Sequence, residues 1–154
     1  MTRIIGLSRL EALYKTFTGL DLDKGRAEAI LDIATGKLED LFTVGLERAY
    51  ARGSDVVELI DLPITKGLQR TIEEYRRERE RLNDPRLDLA PILDYLVGRI
   101  SGLVIGYSVR SELQDLTAAI LLLAGRIIKT IDPNTRKPSK NDIEKARKIL
   151  DLTL

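Results

Sequence analysis

Residue types that bind anions are concentrated near the carboxyl end of the sequence. Between Arg126 and Lys148 there are eight Lys or Arg residues and three acidic ones, which gives a local net charge of +5. A polar loop in this stretch brings together Thr135, Arg136, Lys137, Ser139 and Lys140. Lys, Arg and hydroxyl side chains are groups that contact phosphate oxygens in proteins. The loop is therefore either a phosphate-contacting surface or an ordinary solvated loop.

Other short patterns resemble known sites but lack an essential residue. The spacing of Asp21 and Asp23 matches the start of a calcium-binding loop, but Arg26 occupies the position at which that loop needs its turn glycine. The segment Thr35-Gly36-Lys37 lacks the upstream glycine of a phosphate-binding loop and falls inside a predicted helix. We therefore expect no metal and no cofactor at either place.

The sequence contains no His and no Cys. Their absence excludes the Ser-His-Asp and Cys-His catalytic arrangements, as well as disulfides and zinc–thiolate sites. An enzyme of this sequence would depend on carboxylates, Lys, Arg, Tyr or Ser, and no spacing of these types indicates an active site. We therefore expect a protein that is not an enzyme.

The overall charge is nearly balanced, with 25 Lys and Arg against 24 Asp and Glu, a net charge of +1. This total gives no argument for binding to nucleic acid or to membranes. Charged residues make up 32% of the chain and Asn and Gln are scarce, which is typical of thermophile proteins. The most apolar run, Leu116 to Ile128, is shorter than the roughly 20 residues that span a bilayer. These features predict a cytoplasmic protein.

Apolar residues recur at helical spacing along nearly the whole chain, which predicts an all-α protein. A first short helix is expected to begin at Ser8 and to end at Gly19. Asp23 is expected to cap a long helix from Lys24 to about Ala51. Glycine inside a helix lowers stability by on the order of 1 kcal/mol relative to alanine. A close helix crossing near Gly36 would explain why a glycine is tolerated there, so we expect such a crossing.

A third helix is expected to carry Pro63 in its first turn, with Asp61 or Leu62 as its cap. This helix continues into the charged run from Glu73 to Arg81, in which acidic and basic residues alternate. Such a run predicts a solvated helix.

The second half repeats the order of a short, a long and a short helix. A helix is predicted from Ala90 to about Val97, followed by a glycine-rich link. Tyr107 in this link is either a core residue, which is the favoured interpretation, or an exposed contact. Ser108 is expected to cap a long apolar helix from about Val109 to Ile131. Ser139 has the spacing of a cap for the last helix.

This order of elements resembles the histone fold. The segment from Asp23 to Ile72 is similar to an archaeal histone, most specifically at Asp61-Leu62-Pro63-Ile64-Thr65-Lys66-Gly67-Leu68. The whole chain resembles a family of small, uncharacterised prokaryotic proteins that carry two histone folds in one polypeptide. The resemblance implies two tandem histone-fold units, residues 1–82 and 83–154, packed as an intramolecular pseudo-dimer in one compact domain. It also implies that Arg52 pairs with Asp61.

The resemblance further implies contacts with double-stranded DNA where the first loop of one unit meets the second loop of the other. One such end would join the first loop of the first unit to the basic loop. The candidate DNA-binding residues are Lys24, Arg26, Thr135, Arg136, Lys137 and Lys140. The other end is less suited to phosphate because Asp55 and Glu58 lie near Arg52. A protein of this kind would bind DNA weakly, without sequence preference, in association with the nucleoid.

An alternative function is a histone-fold interaction module that does not bind DNA. Its near-neutral charge fits a pairing scaffold, which would associate with itself or with a protein partner, for example through the helix from Glu73 to Arg81. Neither hypothesis includes a membrane or a small-molecule substrate.

Overall fold

The computed structural model describes residues 2–91, 93 and 104–154, and these residues form an all-α protein, as predicted. The helices are α1 (Thr2–Thr18), α2 (Lys24–Ala51), α3 (Lys66–Leu82), α4 (Tyr107–Arg110), α5 (Leu113–Ile131) and α6 (Lys140–Thr153). Two-residue strands β1 (Val56–Val57) and β2 (Val104–Ile105) and the 3-10 turns Leu59–Asp61 and Pro85–Leu87 complete the described elements. Most of the helix predicted from Ala90 to Val97 lies outside the described residues.

Three predicted helix boundaries are confirmed by their backbone geometry. Gly19 follows the last residue of α1 with a φ of 72°, a conformation that glycine adopts without strain. The Asp23 carboxylate accepts a hydrogen bond from the Arg26 amide at 2.8 Å and caps α2. Ser139 and Asp142 form a reciprocal capping box at the start of α6, with bonds of 3.1 and 2.9 Å.

Two helices begin at other residues than predicted. Helix α1 begins at Thr2, so Ser8 lies inside the helix and does not cap it. Ser108 does not cap a long helix either, because a short helix, α4, precedes α5. The Ser108 hydroxyl instead donates to the Glu58 carboxylate and accepts the Leu59 amide at 2.9 Å. These contacts with a distant segment take the place of the predicted cap.

Helix α3 also begins later than predicted. Its cap is Thr65, whose hydroxyl accepts the Leu68 amide at 3.2 Å, so Asp61 and Leu62 do not cap it and Pro63 precedes it. The Asp61 carboxylate is occupied by another partner, described below, and is not available to the α3 amides.

The two ends of the molecule are each built from two loops that are distant in sequence. At one end β1 and β2 run parallel, with Val56 beside Val104. At the other end the loop of residues 19–23 meets the loop of residues 132–139, where the Asp21 amide donates to the Arg136 carbonyl at 2.6 Å. Helix α2, with 28 residues, extends about 40 Å between the two ends.

Helix α5 forms the centre of the core, since it contacts α1, α2, α3 and α6. It packs closely against α1 at Gly125, where a β-carbon would lie 3.0 Å from the Tyr14 ring. The fully buried Tyr14 hydroxyl donates to the Leu121 carbonyl at 2.5 Å. Burial raises the pKa of this phenol above its usual range, so it stays protonated as a donor.

The close approach predicted at Gly36 is wrong, because a β-carbon at Gly36 would meet no neighbour within 4 Å. The close approach within α2 lies at Gly45. A β-carbon there would be 2.9 Å from Leu62 Cδ2 and 3.1 Å from Val57 Cγ1. The glycine is therefore explained by the loop that follows α2 and not by a crossing helix.

The charged run in α3 is only partly solvated, which corrects the prediction for Glu73 to Arg81. Arg76 Nε donates to the Asp115 carboxylate of α5 at 2.5 Å, and Arg79 lies 3.5 Å from the same carboxylate. Glu74 pairs with Arg126, also on α5. One face of the charged run is thus an ion-pair interface between two helices.

A buried lysine links the middle of α2 to α6. The Lys37 side chain is 6% exposed and lies between Asp40, at 2.9 Å, and Asp151. Burial acts to lower the pKa of Lys37, but the hydrogen bonds with Asp151 and Asp40 outweigh burial and raise it. Lys37 therefore remains charged in the folded protein.

Candidate nucleic-acid interface

The structure brings the six predicted DNA-binding residues to the end of the molecule where the loops 19–23 and 132–139 meet. We call this surface the cationic end; it consists of Lys24, Arg26, Thr135, Arg136, Lys137 and Lys140. Besides the bond between Asp21 and Arg136, Arg26 Nε donates to the Pro138 carbonyl at 3.1 Å, across 112 residues of sequence. The chain fold thereby joins two basic segments into one surface.

An open groove runs between the two loops of the cationic end. Its volume is about 550 Å³, and it is lined by Asp21, Leu22, Asp23, Arg26, Lys137, Pro138 and Ser139. Of these residues, Pro138 and Leu22 are buried and Lys137 is exposed. The groove therefore combines two buried apolar residues with two carboxylates and two cations, so its lining carries no net charge.

Two helices begin at the cationic end. The first turn of α2 follows Asp23 and the first turn of α6 follows Ser139, so both helix N-termini lie beside the groove. The amino end of a helix carries a partial positive charge, which adds to the field of the Lys and Arg side chains. Lys24 and Lys140 are the first residues of these two helices.

The basic loop is held in place by a lysine that sequence reasoning did not assign to the site. Lys129 Nζ, at the end of α5, donates to the Pro133 carbonyl at 3.1 Å and to the Thr135 carbonyl at 2.9 Å. Thr135 is half-buried, whereas Arg136 and Lys137 point to solvent. Lys129 thus positions the loop, and the exposed cations are available to an anionic ligand.

Two carboxylates, Asp21 and Asp23, reduce the positive charge of the surface. Asp21 accepts a hydrogen bond from Lys15 Nζ at 2.9 Å, and this bond, aided by the nearby charges of Lys137 and Arg136, holds the pKa of Asp21 below its usual range. Asp21 therefore stays ionised near neutral pH, and the cationic end is a mixed surface with an excess of positive charge.

The opposite end, which we call the strand end, comprises β1, the turn Leu59–Asp61, β2 and α4. Two cations lie at this end: Arg52 binds Asp61 through Nε at 2.8 Å and donates to the Val56 carbonyl at 3.0 Å, and the exposed Arg110 donates through Nε to the Ile105 carbonyl at 3.3 Å. The carboxylates of Asp55 and Glu58 lie in the same loop. Among the described residues, the strand end therefore offers less positive charge than the cationic end.

Two other kinds of feature, a membrane-spanning helix and a metal-binding cluster, are absent from the described residues. No helix among them is long and apolar enough to cross a membrane. Within the same residues, no group of three or more Asp and Glu side chains is arranged to hold a metal ion.

The profile of a sequence family described as "Domain of unknown function (DUF1931)" matches residues 10–151, which is nearly the whole chain. The chain belongs to the DUF1931 family. A relative of this DUF1931 chain, described as an uncharacterized protein of Aquifex aeolicus (strain VF5), is 26% identical over 152 residues. The match covers 98% of this chain and 85% of the relative.

Two crystal structures resemble this DUF1931 chain along nearly their whole length. A protein from Thermus thermophilus superposes with a TM-score of 0.83 at 34% identity, covering 96% of this chain and 97% of the other. A protein from Aquifex aeolicus superposes with a TM-score of 0.76 at 25% identity, covering 97% and 95%. The all-α architecture is therefore shared with both proteins.

Proposed function

We propose that the chain consists of two tandem histone-fold units, residues 1–82 and 83–154, packed as an intramolecular pseudo-dimer. Support comes from the pairing of loops at both ends, in which a loop of one proposed unit meets a loop of the other. The long helices α2 and α5 contact each other between these ends. The ion pair between Arg52 and Asp61, which the resemblance implies, lies in the loop that carries β1.

We further propose that this protein is not an enzyme and that it binds double-stranded DNA through the cationic end, without sequence preference. The observation that carries the proposal is the contact between Asp21 and Arg136, which gathers cations from two distant segments on one surface. Lys, Arg and Thr side chains contact phosphate oxygens, and contacts of this kind do not depend on the identity of the bases. Binding of this kind would place the protein with the nucleoid in the cytoplasm.

The expected affinity is low, because a surface of six residues contacts few phosphates. If three or four phosphates are neutralised, the slope of log K against log salt is about −2.7 to −3.6. Raising the salt from about 50 to 200 mM should then weaken binding roughly 40- to 150-fold.

The proposal is tested by fluorescence anisotropy with a labelled duplex of about 25 base pairs at the two salt concentrations. The test variant carries Arg136→Glu, Lys137→Glu and Lys140→Glu. Its matched control carries three reversals at exposed positions of α3: Lys66→Glu, Arg70→Glu and Arg77→Glu. Both variants change the net charge equally, so only the place of the change differs.

We expect the test variant to lose binding at low salt and the control to retain most of it. Equal losses in both variants would mean that net charge alone governs binding, and the cationic end would not be the site. Absence of binding by the wild-type protein even at low salt would favour the alternative, an interaction module that does not bind DNA.

A further inference from the structure

The backbone carbonyl groups of the loop of residues 132–139 are almost all occupied by hydrogen bonds. Seven of the eight carbonyl oxygens in this loop accept a bond from a donor in the protein. Four of these bonds come from elements outside the loop, and they are accepted by the carbonyls of Pro133, Thr135, Arg136 and Pro138. A carbonyl that accepts such a bond is directed at the body of the protein and is not available to a ligand.

Lys129 supplies two of these four bonds. Its Nζ donates to the Pro133 carbonyl at 3.1 Å and to the Thr135 carbonyl at 2.9 Å. Arg26 Nε and the Asp21 amide supply the other two. A single side chain at the end of α5 therefore holds two positions of the loop that directly precede its exposed cations.

The direction of the carbonyls decides which groups the loop presents to a ligand. A carbonyl oxygen carries a partial negative charge and repels a phosphate oxygen, whereas a Lys or Arg side chain attracts one. With the carbonyls of Pro133 and Thr135 bound to Lys129, the exposed side chains of Arg136 and Lys137 are the groups that face an approaching anion.

Lys129 is poorly placed to contact phosphate itself. A lysine ammonium group has three hydrogens to donate, and two of those of Lys129 are directed at the loop carbonyls. The Lys129 side chain is also half-buried, whereas Arg136, Lys137 and Lys140 are exposed. Its position therefore suits a residue that supports the binding surface from beneath.

We propose that Lys129 is a positioning residue for DNA binding: it orients the loop so that Arg136 and Lys137 meet the phosphates, and it does not contact the duplex. This inference rests on the proposed DNA-binding function. Without Lys129 the loop would have to become ordered when it binds, and the entropy lost in ordering a loop weakens affinity.

The salt dependence of binding separates a positioning residue from a phosphate contact. Each phosphate contact that is lost reduces the magnitude of the slope of log K against log salt by about 0.9, whereas loss of a positioning residue leaves the slope unchanged. Fluorescence anisotropy with a labelled duplex of about 25 base pairs, at salt concentrations from about 50 to 200 mM, measures both the affinity and the slope.

Two methionine substitutions are compared in this experiment. We expect Lys129→Met to weaken binding about 5- to 10-fold at low salt and to keep the wild-type slope. Lys137→Met, which removes an exposed cation, should weaken binding and reduce the magnitude of the slope by about 0.9. Lys129→Arg keeps a charged donor and should restore most of the affinity. The control Lys148→Met removes an exposed lysine of α6 and should bind like the wild type.

The order of the loop in the free protein gives a second readout that needs no DNA. In Lys129→Met, the NMR order parameters of the Arg136 and Lys137 amides should fall below their wild-type values, because the loop has lost two of its bonds. In Lys129→Arg they should stay close to the wild-type values.

Four results would overturn the proposal: wild-type affinity in Lys129→Met, a slope in that variant reduced as in Lys137→Met, unchanged order parameters, or no recovery in Lys129→Arg. The second of these would make Lys129 a phosphate contact. Failure of the DNA-binding function itself is distinguishable, because the wild-type protein would then not bind the duplex at low salt. If the wild type binds and Lys129→Met binds equally well, only the role of Lys129 is refuted.

Discussion

Arg52 and Asp61 form a two-point ion pair that closes the loop after α2. Arg52 Nε lies 2.8 Å from one carboxylate oxygen of Asp61, and its terminal nitrogen lies 2.7 Å from the other. The Asp61 residue is only 3% exposed. The bonds from Arg52, together with the Glu58 amide at 2.8 Å, lower the pKa of Asp61 to about 2. This pair therefore links the end of α2 to the loop that carries β1.

The low pKa of Asp61 predicts how stability changes with pH. Because the folded-state pKa lies below the unfolded value near 4, the carboxylate stabilises the fold fully above pH 4. This contribution is lost as the pH falls from about 4 to about 2, when the carboxylate of the folded protein takes up its proton. Asp61→Asn should lower the thermal midpoint by several degrees at pH 7 and by little near pH 2, as measured by circular dichroism.

The control for that experiment is Asp55→Asn, which changes an exposed carboxylate in the same loop. Its midpoint should follow the wild-type curve at both pH values. A constant difference between Asp61→Asn and the wild type from pH 7 to pH 2 would contradict the assigned role.

The two glycines inside α2 predict opposite responses to alanine. Gly36→Ala should stabilise the protein by about 0.4–1 kcal/mol, because the helix gains a better residue and the new methyl group meets no neighbour. Gly45→Ala should destabilise it by about 1–3 kcal/mol, because buried Leu62 and Val57 must move. Urea unfolding monitored by circular dichroism measures both, and a stabilising Gly45→Ala would refute the close packing.

The buried phenol of Tyr14 predicts a measurable cost when its hydroxyl is removed. Tyr14→Phe keeps the packing of α1 against α5 but loses the bond to Leu121, which should cost about 0.5–1.5 kcal/mol in the free energy of unfolding. Gly125→Ala should cost more, because its methyl group would lie 3.0 Å from the rigid Tyr14 ring. Unfolding in urea gives both values, and an unchanged Tyr14→Phe variant would count against a role for this bond.

The ion-pair interface between α3 and α5 predicts that Asp115 contributes more to stability than an exposed carboxylate on α3. Asp115 is buried and accepts Arg76, so Asp115→Asn should destabilise the protein by about 1.5–3 kcal/mol. Glu80→Gln changes an exposed carboxylate on α3 and should stay within about 0.5 kcal/mol of the wild type. Equal effects of the two substitutions in a urea titration would show that the buried pair has no special role.

Features that depend on neighbours in sequence were predictable, and those that depend on distant contacts were not. The caps at Asp23 and Ser139 use hydrogen bonds to amides three residues away, so the local pattern is sufficient. Ser108 has the same residue type, but its hydroxyl binds Glu58 and Leu59, which lie about fifty residues earlier. No local pattern distinguishes these two uses of a serine.

In the candidate site, too, local features were predictable from the sequence and contacts between distant segments were not. The charge of the basic loop is visible in the sequence, but its contact with Arg26 depends on which loops the fold brings together. Tyr107 looks like a core residue because it is aromatic and lies in an apolar segment, but it is 84% exposed, so the interpretation as a core residue is wrong. Its exposure follows from the bonds of its neighbours Gly106 and Ser108, which hold the segment against β1 and turn the ring outward.

The molecule is directional, because its two ends are made from different stretches of one chain. A dimer of identical chains has two equivalent ends, and any substitution in it appears twice. Here, a change at Arg136 alters one end and a change at Glu58 alters the other, so each end can acquire its own ligand independently. Any complex or assembly of this protein therefore contains molecules with two different ends. The orientation of each molecule within it is defined, whereas the two orientations of a symmetric pair are equivalent.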